Sequence, residues 1–168
     1  MESKKLGTLT NENYPNTWES QPVAVPFFNN AKIPFIIEAN KEDLSEIDEV
    51  IGNFLNLTPE SKDDASKYLY KHYQDIVKAV DKDDVDCTIE SEADIWNHVT
   101  PTNIIVRKRP EDHVVYIQVL AECRWEREHG IQIVYKDGNR LSRVSEQDGH
   151  LTYSDAYDVS DSEDRVYG

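Results

Sequence analysis

Short apolar runs separated by turn residues dominate the first third of the chain and predict β-strands. Residues 23–28 and 32–37 are mainly apolar and flank an Asn-Asn pair, so they predict a hairpin around an asparagine turn. Pro26 and Pro34 within these runs carry no backbone N–H for a strand ladder. We therefore expect this hairpin to lie at a sheet edge or to contain a bulge.

The pattern then changes to apolar residues spaced three or four positions apart, which is typical of amphipathic helices. A first helix is predicted by Leu44, Ile47, Ile51 and Phe54. A second helix is predicted to begin with Thr58 as its cap and Pro59 as its first residue. Its apolar stripe comprises Ala65, Leu69, Tyr73, Ile76 and Val80. A short third helix is predicted to start at Ser91 and to end before Pro101.

Strand patterns return in the second half of the chain, over residues 103–108, 114–125, 131–136 and 140–145. The Asp137-Gly138 pair between the last two is a strong hairpin signal. Together the elements predict an α+β fold, an antiparallel β-sheet with two to three helices packed on one face. We assign residues 1–153 to a single α+β domain and predict that the acidic residues 154–168 form a disordered tail.

Acidic residues are concentrated in a few segments. The chain has 168 residues, with 33 Asp and Glu against 18 Lys and Arg, and its net charge is −15. This charge disfavours nucleic acid and anionic membrane as partners. Residues 38–64 carry a net charge of −7, residues 81–94 of −6 and residues 154–168 of −4, which leaves the rest at +2. The acidity is therefore predicted to lie on the helical layer, its loops and the tail.

An acidic surface of this kind favours a cationic protein partner, because complementary charge accelerates association. The alternative is that the charges only keep the protein in solution. Predicted partner contacts are the aspartates of the loop after the second helix and two glutamates on the outer face of the first: Asp81, Asp83, Asp84, Asp86, Glu46 and Glu49.

Candidate catalytic chemistry centres on the segment between two predicted strands. Ligand atoms for a divalent metal in a metal-dependent hydrolase are offered there, and after the next hairpin, by Glu126, Glu128, His129 and His150. Adjacent Glu128 and His129 point to opposite sides of an extended strand, however, so a charged turn is the preferred interpretation. The sequence contains no nucleophile elbow, phosphate loop or dinucleotide glycine fingerprint. We therefore expect neither enzyme activity nor a cofactor nor a bound metal.

Two features bear on localisation. Cys87 and Cys123 do not form a disulfide framework, and no apolar run follows the two lysines near the N-terminus. The sequence therefore predicts a cytoplasmic protein.

Two segments carry a resemblance to a known family. They are W-E-x-E-H-G at residues 125–130 and, after a hydrophobic strand and an Asp-Gly turn, Q-D-G-H-L-T at residues 147–152. On these motifs, the chain resembles a bacterial family of small domains of unknown function over about residues 5–155. Members of this and similar acidic families resemble immunity proteins, which are encoded beside toxins. The resemblance implies a protein that occludes a cognate toxin, with a regulatory or scaffold module unrelated to toxins as the alternative.

Overall fold

The computed structural model describes residues 1–11, 14–80, 85 and 87–168. The strands are β1 (Glu2–Ser3), β2 (Gly7–Thr10), β3 (Thr17–Ser20), β4 (Val23–Val25), β5 (Ala31–Ile33), β6 (Phe35–Glu38), β7 (Val99–Lys108), β8 (Val115–Cys123), β9 (Glu126–Lys136) and β10 (Arg140–Ser145). The helices are α1 (Leu44–Leu55), α2 (Pro59–Ala79) and α3 (Tyr153–Tyr157), and 3-10 turns cover Pro26–Phe28, Lys41–Asp43, Glu92–His98 and Asp161–Glu163. The predicted α+β class is confirmed.

Within the described residues, eight strands form one sheet in the order β1-β2-β3-β6-β7-β8-β9-β10, and β4 and β5 form a separate ribbon. Neighbours are antiparallel except β6 and β7, where Phe35 pairs with Ile104 and Ile37 with Val106. The parallel pair arises because the chain leaves the sheet after β6, passes through both long helices and returns beside β6 as β7. The predicted antiparallel sheet therefore contains one parallel pair.

The predicted asparagine-turn hairpin is present but shorter than expected. Val23 of β4 pairs with Ile33 of β5, and Asn29 and Asn30 in the turn adopt φ angles of 54° and 60°. Pro34 has no N–H to donate and separates β5 from β6. The second predicted strand is therefore divided between the ribbon and the main sheet.

Both long helices lie where the apolar spacing predicts them. Thr58 is extended, and Pro59 occupies the first turn of α2, where a missing N–H costs nothing. The predicted third helix is instead a 3-10 turn over Glu92–His98, a tighter helix than the α-helix. A hydrogen bond joins this turn to α2, since the Trp96 indole donates to the Ser66 hydroxyl at 2.6 Å. No helix in the described ranges combines the length and apolar composition needed to cross a membrane.

The long helices α1 and α2 pack on one face of the sheet, which we call the helix-covered face. Alternate strand residues such as Ile104, Ile117 and Tyr135 point to this face and share one core cluster with α1 and α2. The β9–β10 turn approaches α1 closely. Gly138 has a φ of +77°, and a Cβ at this position would overlap the backbone oxygen of Val50. Helices and hairpin are thus fitted to each other through backbone contact.

The opposite face, which we call the open face, is covered only in part. Over β8–β10 the chain after β10 returns across it, and Leu151 packs there with Tyr116 and Val134. Over β3, β6 and β7, Ile36 and Ile105 are only partly buried. We call these regions the covered half and the uncovered half of the open face.

Residues 154–168 are predicted to form a disordered tail, but in the structure they contact β10 and α2. The backbone oxygen of Val166 accepts a hydrogen bond from the amide of Val144 in β10 at 2.9 Å. The Tyr167 hydroxyl donates to Asp75 of α2 at 3.0 Å. Asp155 and Asp161 of this segment also form ion pairs with Arg109, just after β7. Such pairing between distant positions is not visible in a count of charge along the sequence.

Candidate binding surface

The W-E-x-E-H-G segment comprises the last residue of the β8–β9 turn and the first five residues of β9. Trp125 is buried, and its indole N–H donates to Nδ1 of His72 in α2 at 2.9 Å. Glu126 Oε1 accepts from the backbone amides of Glu128 at 3.0 Å and of His129 at 3.2 Å. The tryptophan therefore ties this segment to α2, and the carboxylate closes a local turn.

The proposed metal ligands do not assemble. Glu126 Oε1 lies 3.5 Å from Nδ1 of His129, while Glu128 and His150 are exposed. Across residues 1–11, 14–80, 85 and 87–168, no group of three or more His, Cys, Asp or Glu side chains is arranged to hold a metal ion. The structure thus brings together two of the four candidate ligands.

The Q-D-G-H-L-T segment packs against the W-E-x-E-H-G segment. The Gln147 amide donates to the backbone oxygen of Ala121 in β8 at 3.0 Å. Gly130 has a φ of +66°, and a Cβ there would lie only 2.6 Å from the Gln147 amide nitrogen. A larger residue at position 130 would displace that side chain and strain the backbone. The two segments behind the family resemblance therefore form one structural unit.

Asp148 of the same segment joins a buried polar network on the covered half. It pairs with Arg143, whose side chain is 4% exposed, and accepts from the Gln132 amide at 2.9 Å. Gln132 also donates to the backbone oxygen of His150 at 2.9 Å and accepts from Gln118 at 2.5 Å. Buried polar groups require such partners, so these side chains have a structural role.

Basic residues of the strands are neutralised within the chain, most completely at Arg109, just after β7. Its side chain is 4% exposed and lies 2.6 Å from Asp155 Oδ1 and 2.7 Å from Asp161 Oδ1. Hydrogen bonds from this guanidinium lower the pKa of Asp161 to about 2. Further ion pairs join Arg107 to Glu38, Lys108 to Asp43 and Glu46, Lys136 to Asp112, Arg140 to Asp137 and Arg143 to Asp148.

The predicted contact residues fall into two groups. Outside the described residues lie the four loop aspartates, Asp81, Asp83, Asp84 and Asp86. On α1, Glu46 Oε2 is 2.7 Å from Nζ of Lys108, so its charge is already paired. Glu49 is exposed and forms no ion pair within the described ranges. Of these two glutamates, Glu49 is therefore the one available to a partner.

Further acidic side chains lie where the turn at Glu92–His98 packs on α2. Lys67 Nζ is 2.9 Å from Asp64 Oδ1, and Asp64 and, more weakly, Glu92 raise the pKa of this lysine. The Tyr70 hydroxyl donates to the backbone oxygen of Glu90 at 3.2 Å, which holds the loop against α2. We call the resulting exposed patch the acidic helical surface; it consists of Glu60, Asp63, Asp64, Glu90 and Glu92.

A groove of about 810 Å³ lies on the uncovered half of the open face. Its lining includes Ile36, Pro34, Glu19 and Glu38, together with Tyr14, which is 70% exposed. The sequence pattern does not predict this groove. The alternation of side chains within β3 places Thr17 and Glu19 on one face. It does not indicate which strands lie beside β3.

Residues 5–151 match the family described as "Domain of unknown function (DUF6985)". The chain belongs to this family. No curated protein and no solved structure matches it. The range shared with the family contains the helices α1 and α2 and every strand from β2 to β10, whereas β1 lies before it. The segment that neutralises Arg109 lies beyond this range.

Proposed function

We propose that this protein is an immunity-type binding protein that acts in the cytoplasm and neutralises a cognate bacterial toxin by direct occlusion. The observation that carries the proposal is the acidic helical surface, which borders the acidic loop 81–86 in the sequence. Its carboxylates are exposed on elements that pack against each other. A toxin with a basic contact surface would complement this charge.

Ion pairing within the chain separates structural carboxylates from available ones. Asp155 and Asp161 are engaged by Arg109, and Asp148 by Arg143. On the acidic helical surface, the ion pair between Lys67 and Asp64 is exposed on both sides. Its other carboxylates form no ion pair within the described residues, so they are available to a cationic partner.

The contacts of the family motif support binding over catalysis. Trp125 and Glu126 are engaged in connecting β8, β9 and α2, and Gln147 donates to the backbone of β8. Their polar atoms are thus used to hold the fold. A binding function needs only the surface that this fold presents.

A two-step experiment tests the function. The tagged full chain captures proteins at low salt from a lysate of the organism that encodes it. Each captured protein is then expressed alone and together with this chain. We expect one captured protein to arrest growth when alone and growth to return on co-expression. A captured partner that leaves growth unaffected would contradict the toxin assignment and favour the regulatory or scaffold alternative.

The contact residues are tested by replacing Asp81, Asp83, Asp84 and Asp86 with Asn. Association with the captured toxin should slow about tenfold at low salt and depend less on salt, because steering by charge is lost. A matched control replaces four exposed acids outside the acidic helical surface with Gln: Glu122, Glu128, Glu146 and Glu163. Equal slowing by both variants would show that net charge alone drives association and would remove the loop assignment.

A further inference from the structure

Strand register brings two glutamates to the same side of neighbouring strands on the uncovered half. In the antiparallel pair β3–β6, Thr17 lies opposite Glu38 and Glu19 lies opposite Ile36. Residues directly opposite each other share a face, and diagonal neighbours lie about 7–8 Å apart. Glu19 and Glu38 are therefore diagonal neighbours beside Ile36, and all three line the groove.

Among the described residues, only one of these two glutamates has a cationic partner. Glu19 is exposed and its carboxylate has no ion pair or hydrogen bond within the described residues. Glu38 faces one cation, NH1 of Arg107, at 3.7 Å. That same guanidinium donates to Gln118 and to the backbone oxygen of Gly149. The groove thus carries negative charge that is left for a partner to neutralise.

The groove also offers surface for the uncharged part of a long cationic side chain. Pro22, Pro34 and Ile36 contribute apolar lining, against which a methylene stem packs well. Tyr14 adds an aromatic ring that is 70% exposed, and aromatic faces attract guanidinium groups. A volume of about 810 Å³ admits such a side chain together with the loop that carries it.

From this geometry we infer that the groove binds an arginine side chain presented by a surface loop of the partner protein. Arginine fits better than lysine because its planar fork can bond two separated carboxylates and stack on a tyrosine. That the loop belongs to a toxin rests on the proposed function, whereas the chemistry of the groove does not. The groove forms a second contact region, on the face of the sheet turned away from the helices.

An NMR titration of the isotope-labelled full chain with N-acetyl-argininamide tests the groove without any partner. We expect amide shifts to concentrate at residues 14–22 and 34–38 and to saturate with a dissociation constant of about 1–10 mM, typical of a fragment of this size. N-acetyl-citrullinamide has the same shape without the charge and should produce no saturable shifts. Equal shifts with both compounds, or shifts spread over all acidic surfaces, would overturn the inference.

Charge-matched variants locate the binding. Glu19→Gln should weaken N-acetyl-argininamide binding about fivefold, because one charge-assisted hydrogen bond is lost. Glu128→Gln removes the same charge at an exposed position on β9 and should leave the affinity unchanged. Equal weakening by the two variants would overturn the assignment to the groove. Equal affinity for N-acetyl-lysinamide would overturn the choice of arginine.

The same variants separate this inference from the proposed function. Glu19→Gln should raise the dissociation rate of the captured partner, whether or not that partner is toxic. If the fragment binds in the groove but Glu19→Gln leaves the partner complex unchanged, the groove is not part of the interface and the inference is overturned. The growth assay stands or falls independently, since it does not depend on where the partner binds.

Discussion

The two halves of the open face treat charge in opposite ways. On the covered half, Arg143 pairs with Asp148, and the Gln118 and Gln132 side chains hydrogen-bond at 2.5 Å beneath the returning chain. On the uncovered half, Glu19 is exposed without a cation of its own among the described residues. Both halves belong to one sheet and are built from the same kinds of residue.

The difference comes from the chain that follows β10 rather than from the strands. That segment places Leu151 over the sheet and carries Asp155 and Asp161 to Arg109. Buried charges require partners, and here Arg143 pairs with Asp148 while Arg109 pairs with both Asp155 and Asp161. Where no segment returns, Glu19 stays available. Whether an acidic residue is available to a partner protein therefore depends on whether the fold pairs it with a cation.

The largest expected effect is the loss of the pairing at Arg109. Arg109→Met would leave Asp155 and Asp161 facing each other without their cation. We expect the free energy of unfolding to fall by about 2–3 kcal/mol, below the usual loss for a broken buried pair because Asp161 is itself exposed. Urea denaturation measures this loss. Arg109→Lys keeps the positive charge but not the planar guanidinium group. Its free energy of unfolding should lie between those of Arg109→Met and the parent protein.

Acid unfolding provides a second readout for Arg109. Because the guanidinium lowers the pKa of Asp161 to about 2, the unfolded chain takes up this proton first as the pH falls. The stabilisation is therefore complete above about pH 4 and is lost as the pH falls towards 2. In Arg109→Met this loss should be absent. Parallel acid-unfolding curves for both proteins would contradict the assigned pairing.

The next effect concerns the buried amide network. Gln132→Leu removes the acceptor for Gln118 and the donor to Asp148. Since unsatisfied buried polar groups are costly, we expect a loss of about 1–3 kcal/mol in the free energy of unfolding. The double variant Gln118→Leu, Gln132→Leu should recover part of that loss. If the double variant lost more free energy of unfolding than the two single variants together, the network would not be the cause of the loss.

The apolar pattern was sufficient to predict the layers of this fold. Spacing identified α1 and α2, and the Asp137-Gly138 signal identified the β9–β10 hairpin, because these features depend on neighbours in sequence. The parallel pairing of Phe35 with Ile104 could not be predicted. It depends on how the crossover through the helices returns to the sheet.

Long-range pairing also limited what the sequence revealed about the site. The excess of acids over bases in residues 154–168 predicts a disordered tail, yet Asp161 is bound by Arg109, 52 positions away. Glu46 looked available on its helix but pairs with Lys108. Glu19 and Glu38 lie 19 positions apart in the sequence. They become a pair only through the register of β3 and β6.

A smaller, pH-dependent effect is expected at His72 of α2, which accepts the hydrogen bond from Trp125. Burial lowers the pKa of His72, partly offset by the charges of Glu126 and Asp75. The unfolded chain therefore binds this proton first, and stability should decline as the pH falls below about 6.5. His72→Gln removes the titration. Urea denaturation between pH 7 and 5 should show a shallower decline for the variant, and identical slopes would exclude His72 as the source.

Two matched variants test the comparison of the two halves directly, and Glu19→Gln among them has the smallest expected effect. Asp148→Asn and Glu19→Gln each remove one carboxylate charge with little change in shape. Asp148 accepts hydrogen bonds from Arg143 and Gln132, so its variant should lose about 1–3 kcal/mol in the free energy of unfolding. Glu19→Gln should stay within about 0.5 kcal/mol of the parent protein, as is usual for an exposed side chain without such contacts. Equal losses would mean that Glu19 is held by the fold after all, and its charge would then not be free to receive a partner.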